Sequence, residues 1–151
     1  MNKNEKVTWQ KILYPSGELK FEGFTKFNPN IKELVPSGQG VLYFKNGKKH
    51  MEGSFGNDWF IETGTEYYQN GNIKFIGKYN KGSRTYYGPR YFVFGRLFKE
   101  DGTLWYEGSF HFSKSGVGYP IFEKEQSFVN GTEFNADGSV KKKYIEDKER
   151  S

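Results

Sequence analysis

The stretch Tyr67–Gly82, YYQNGNIKFIGKYNKG, decides how the rest of the chain is read. Two aromatics lead into Asn70-Gly71, and apolar and polar residues then alternate as far as the closing glycine. Asn-Gly between alternating runs predicts a β-hairpin, with both turn residues at positive φ in a type I′ turn. What matters next is whether this hairpin is one piece of a larger fold or one copy of a unit.

Aligning the chain on the turn glycine settles that. Ser16-Gly17, Asn46-Gly47, Asp101-Gly102 and Asp137-Gly138 fall on the same template. Four positions before the glycine stand Leu13, Tyr43, Tyr67, Phe98 and Phe134; four after it stand Phe21, Met51, Phe75, Tyr106 and Lys142. Further glycines recur at plus six (Gly23, Gly53, Gly77, Gly108) and at minus seven (Gly40, Gly64, Gly95, Gly131). Five copies of a hairpin unit therefore fill the chain. The spacing is uneven because of insertions at 26–37, 83–94 and 111–129. The first, with Pro29 and Pro36, reads as a loop. The other two are aromatic enough to hold an extra degenerate hairpin each. The last copy is worn, as a capping repeat is.

Composition agrees with short strands and glycine turns. Aromatics make up 19% of the residues and glycines number 19, whereas a helical bundle would be rich in Leu and Ala. There is no cysteine, so neither a disulfide framework nor a thiolate metal site is expected. The N-terminal stretch is polar and no long apolar run occurs, which predicts a cytoplasmic protein without a transmembrane helix. The net charge of +5 is dispersed; its one run, Lys141-Lys142-Lys143, reads as a solvated tail.

A two-residue turn sets a register. It predicts the pairs Phe44/Lys49, Tyr68/Ile73 and Lys99/Leu104 next to the turns, then Leu42/Met51, Glu66/Phe75 and Leu97/Tyr106. Beyond them come the glycine pairs Gly40/Gly53, Gly64/Gly77 and Gly95/Gly108. These share one mostly apolar face, where aromatics can lie flat on a glycine floor. The other face is mixed, with Tyr43/His50, Tyr67/Lys74 and Phe98/Trp105 as an aromatic ladder. The carboxylates Glu22, Glu52 and Glu107 recur at plus five, as cross-strand partners do.

Catalytic constellations are absent from this pattern. His50 and His111 are far apart in sequence, no phosphate-binding or nucleophile-elbow motif occurs, and His50 is expected as an exposed strand residue beside Tyr43. The sequence thus predicts no enzyme and no cofactor. It points instead to binding by rows of aromatics and by insertions along one edge of the sheet.

The units YYQNGNIKFIGKYNKG, LYFKNGKKHMEGSF, LFKEDGTLWYEGSF and LYPSGELKFEGF resemble MORN repeats, and more narrowly the bacterial YwqK-type antitoxin or immunity repeats. The resemblance implies an all-β fold of stacked β-hairpins forming an elongated, twisted, grooved antiparallel sheet. It also implies a non-catalytic module that binds and neutralises a partner protein. The repeat domain is placed at 13–144, after an N-terminal segment 1–12 and before a charged tail 145–151. The residues expected to contact the partner are Tyr43, Trp59, Tyr67, Tyr86, Arg90, Tyr91, Phe98 and Trp105, since Tyr, Trp and Arg dominate interface hot spots. The alternative is a MORN-type adaptor on anionic membrane lipid, which the charge permits. Glycan binding through Trp59, Tyr68 and Trp105 is a weaker option. Nucleic acid is not expected, because basic and aromatic residues do not interleave into a stripe. Open sheet ends leave room for a second copy, and the sequence does not set the oligomeric state.

Overall fold

The computed structural model describes residues 6–81, 90–112 and 126–145, with the backbone alone described at 80, 81, 90, 91, 111, 112, 126 and 127. The described residues form ten antiparallel strands of one open sheet, ordered as in the chain. They are β1 (Thr8–Leu13), β2 (Leu19–Asn28), β3 (Glu33–Tyr43), β4 (Lys49–Phe55), β5 (Ile61–Tyr67), β6 (Ile73–Lys81), β7 (Arg90–Phe98), β8 (Leu104–Phe112), β9 (Gln126–Phe134) and β10 (Val140–Tyr144). The expected hairpin repeats are therefore present, and β1 begins inside the segment read as preceding them. Two compact units divide the chain, Met1–Gly71 with β1–β5 and Asn72–Ser151 with β6–β10.

The turns differ from the type I′ expectation. In the β3–β4 hairpin, Gly47 N–H donates to Phe44 C=O (2.9 Å) and Phe44 N–H donates to Lys48 C=O (2.8 Å). Only the glycine has positive φ (+90°), so Asn46 keeps an ordinary conformation and its Oδ1 accepts from Lys48 N–H at 2.9 Å. This is a three-residue loop, a type I turn closed by a glycine bulge. Gly17, Gly102 and Gly138 close their hairpins with the same pair of bonds. An Asn or Asp side chain that holds the turn from within removes the need for a second residue at positive φ.

The longer turn displaces the pairs nearest to it, so Tyr43 opposes Lys49 and Phe98 opposes Leu104, where Phe44/Lys49 and Lys99/Leu104 were expected. A second bulge then restores the register by leaving one residue of the outgoing strand unpaired. That residue is Lys20, His50, Trp105 or Lys141, always three positions after the turn glycine. Beyond it the expected pairs Leu42/Met51, Leu97/Tyr106, Gly40/Gly53 and Gly95/Gly108 are all formed. The hairpin-to-hairpin junctions extend the glycine ladder with Gly23/Gly40, Gly53/Gly64, Gly77/Gly95 and Gly108/Gly131.

The insertions also differ from expectation. Residues 26–37 are not a loop but the arms of a longer hairpin, with Lys26 opposite Val35 and Phe27 opposite Leu34. Pro36 is accommodated because it follows the register shift after Gly23, where the ladder is already interrupted. Pro29 sits in the tip, where Lys32 N–H reaches Asn28 C=O at 2.7 Å and Lys32 takes φ +59°. In the other two cases the described parts of the insertions extend β7 and β9, with β6 paired to β7 and β8 to β9; the extra hairpins expected there fall on residues 82–89 and 113–125, which lie outside the described residues. In the first unit the insertion lies at the end of the strands opposite the glycine turns.

One face of each unit holds its core. In the first unit Phe21, Val35, Leu42, Met51, Phe55 and Ile61 are buried; in the second, Phe75, Tyr79, Phe92, Leu97, Tyr106 and Phe110. The glycine floor is what lets large rings close down on a single sheet. A Cβ on Gly40 would overlap the Phe21 ring, and one on Gly131 would lie 2.7 Å from the Tyr106 hydroxyl. Rings then stack on one another: Tyr106 on Phe128 at 3.9 Å and Phe75 on Phe92 at 4.1 Å between centroids.

Candidate functional site

The described residues expected to bind a partner are divided between the two units. Tyr43 and Tyr67 belong to the first unit, and Tyr67 lies on the face away from the core. Its hydroxyl donates to Glu52 Oε1 at 2.9 Å, and Lys49 pairs with the same oxygen at 3.3 Å. Burial and the Glu52 carboxylate push the Tyr67 phenol up to about 12. The backbone carbonyl of Tyr43 accepts the Tyr14 hydroxyl at 2.6 Å. In the second unit Phe98 ends β7 opposite Leu104. Tyr86 lies outside the described residues. Arg90 and Tyr91 belong to β7 by their backbone, which is the part of them that is described.

Trp105 is turned the other way by its bulge. It was expected opposite Phe98 on the mixed face, yet it packs edge-on against Phe128 (5.8 Å) beside the core. Its Nε1–H donates to Glu133 Oε2 at 3.3 Å. Glu133 is almost fully buried there and also accepts the Tyr144 hydroxyl at 2.7 Å and meets Lys141 Nζ at 3.5 Å. Burial alone would raise this carboxyl, but the donors Tyr144, Trp105 and Lys141 hold it below its ordinary value. The lysine run of β10 is thus a solvent-exposed edge strand with one inward tie, not a free tail. His50 is likewise turned by its bulge and stacks on Phe44 at 4.1 Å, where an exposed position beside Tyr43 was expected.

Trp59 is the most unusual of the expected residues. In the β4–β5 connection, Gly56 N–H bonds Phe60 C=O and Trp59 N–H bonds Gly56 C=O, both at 2.9 Å. These are the bonds that close the glycine hairpins, and Trp59 stands at the left-handed position with φ +66°. Its ring meets Phe21 edge-on at 5.7 Å, and Lys20 Nζ lies 4.2 Å from its centroid. Lys20 and Lys45 also flank the Tyr14 ring at 5.8 and 5.4 Å. The sequence flagged Trp59 alone; the lysines escaped notice because three separate strands and turns supply this cluster.

The face away from the core carries apolar groups that no strand covers. In the first unit Trp9 and Phe24 form an edge-on pair at 5.2 Å and remain 54% and 40% exposed. In the second, Ile76 and Phe94 are 37% and 52% exposed. They wall an open trough of ≈ 470 Å³ whose floor is the backbone of Gly77, Gly95 and Gly108. The Arg96 Nε–Glu107 Oε2 ion pair (3.0 Å) and Ser109 complete its lining. Such a surface can receive extended backbone and apolar side chains.

Among the described residues no three His, Asp or Glu side chains gather as a metal site would require, and no helix is long and apolar enough to cross a membrane. No protein-family model matches the chain, and neither the curated proteins nor the solved structures yield a match.

Proposed function

We propose that this chain is a non-catalytic repeat module that binds and neutralises a partner protein, as an antitoxin or immunity protein does. The observation that carries this reading is the uncovered aromatic and aliphatic surface on the face away from the core, Trp9 with Phe24 and Ile76 with Phe94. Half-exposed rings on a rigid sheet lose little conformational entropy on binding and supply most of the energy of a protein interface. The resemblance of the repeats to YwqK-type sequences supports the same class of function.

The test is capture from the native host with the full chain as bait, together with co-expression beside each neighbouring open reading frame. A stoichiometric partner, whose retention falls in Trp9→Ala/Phe24→Ala or in Phe94→Ala, is the expected result. An empty capture with no relief of toxicity by any neighbour would sink the proposal.

A further inference from the structure

We propose that Trp59, Lys20, Tyr14 and Lys45 form a seat for the carboxylate side chains of an acidic segment of the partner. The inference rests on the partner-binding reading above and names the chemistry recognised in the first unit.

Backbone strain is the first argument. Five hairpins place glycine at positive φ, whereas this turn holds Trp59 at φ +66°, at a cost of about 1–2 kcal/mol for a residue with a Cβ. Glycine would close the turn without that cost; here the cost is offset by a ring that meets Phe21 and lies under Lys20. The tryptophan is present for its ring.

Charge is the second. The half-buried Lys20 ammonium meets only ring faces among the described residues, Trp59 at 4.2 Å and Tyr14 at 5.8 Å. A cation over a π-face retains most of its capacity to attract an anion, because the quadrupole of a ring only partly neutralises it. Lys45 flanks the same Tyr14 ring from 5.4 Å. The Tyr14 hydroxyl is already donated to Tyr43 C=O, so the seat offers two ammonium groups and two ring faces. A Glu or Asp side chain matches this set: the carboxylate meets the lysines and the aliphatic stem lies on a ring. A continuous anionic surface such as a bilayer matches it less well. Glu18, held by Ser16, stands beside Lys45, so the uncompensated positive charge is local to Lys20 and suits one carboxylate docked at Trp59 better than an extended plane of charge.

The test uses the full ¹⁵N-labelled chain, a capped hexaglutamate peptide and the Trp59 indole Nε1–H resonance, identified by its loss in Trp59→Gly. Hexaglutamate should shift that resonance saturably at low salt, and hexaglutamine should not. Lys20→Gln with Lys45→Gln should weaken hexaglutamate binding roughly ten-fold, as the loss of a charge-assisted contact implies. Trp59→Gly should keep the backbone amide dispersion, keep or raise the thermal midpoint, and still lose most of the affinity. A resonance unmoved by hexaglutamate, moved equally by hexaglutamine, or moved only by phosphatidylserine vesicles would overturn the seat. The two proposals fail separately. A captured partner that binds Lys20→Gln/Lys45→Gln and Trp59→Gly like the wild type removes the seat and leaves the function. An empty capture with an intact hexaglutamate response does the reverse.

Discussion

Gly108 sits at φ +150° with the backbone of β9 directly beneath it. A Cβ there would overlap Asn130 C=O and come within 2.5 Å of Gly131 Cα and 2.8 Å of the Tyr106 hydroxyl. Gly17 has φ +104°, and a methyl placed on it would meet nothing within 4 Å. Alanine at the two sites therefore tests two different costs. Gly17→Ala should lower stability by about 1 kcal/mol, the left-handed penalty alone. Gly108→Ala should cost about 3 kcal/mol or more, since β8 and β9 must separate and Tyr106 must lift. Urea midpoints of the two variants measure the difference. Tyrosines give a second prediction at this scale. Burial and the carboxylates Glu52 and Glu133 raise Tyr67 and Tyr144 from 10.0 to about 12. A folded value above the unfolded one means that the stabilisation is complete below pH 10.0 and is lost as pH rises through about 12. Glu133 works in the opposite sense: its lowered value stabilises above its ordinary 4.5 and is lost as pH falls. Denaturant midpoints from pH 8 to 12 should decline above about pH 10 and decline less in Tyr67→Phe/Tyr144→Phe.

At the scale of elements, the hairpin and its glycine ladder were legible because period-two alternation and the recurrence of Gly40, Gly53, Gly95 and Gly108 fix which residues oppose one another. The turn type was not legible. Asn-Gly serves both a two-residue loop and a three-residue loop, and side-chain capping by Asn46 or Asp101 selects the second. Trp105 and His50 were placed on the wrong face for the same reason: a bulge after the turn inverts one residue, and no residue type signals it. The cluster around Lys20 was invisible because its members come from distant parts of the sequence. Turn tips also bond to one another along the stack, with Lys48 Nζ to Asn70 C=O at 3.3 Å in the first unit and Asn72 Nδ2 to Glu100 C=O at 2.9 Å in the second. Asn72→Ala should cost about 0.5–1 kcal/mol, the net value of one exposed hydrogen bond, read as a shift of the thermal midpoint. Removal of β10 is a harsher change. It takes Tyr144 and Lys141 from Glu133 and uncovers the Phe128 ring, so truncation after Asn135 should leave Trp105 fluorescence red-shifted and unfolding less cooperative.

For the whole molecule, each unit buries its core on one face of the sheet and leaves the other face to solvent. Contacts are then nearest-neighbour in kind, β2 with β3 and β8 with β9 among the richest, and stability accumulates strand by strand. Native-state hydrogen exchange should follow this grading, slowest at amides of β3–β4 and β7–β8 and fastest in the edge strands β1 and β10. Uniform protection across all strands would contradict it. Gly108→Ala should speed exchange first in β7–β9. The unpaired residue three places beyond each turn has a further consequence. Lys20, His50, Trp105 and Lys141 occupy equivalent sites with three kinds of side chain, whereas the glycine three places further on recurs as Gly23, Gly53 and Gly108 in all but the last repeat. These four hairpins thus have a socket that can be refitted without disturbing the ladder. A family built on this plan could change what it grips one socket at a time while its scaffold stays constant.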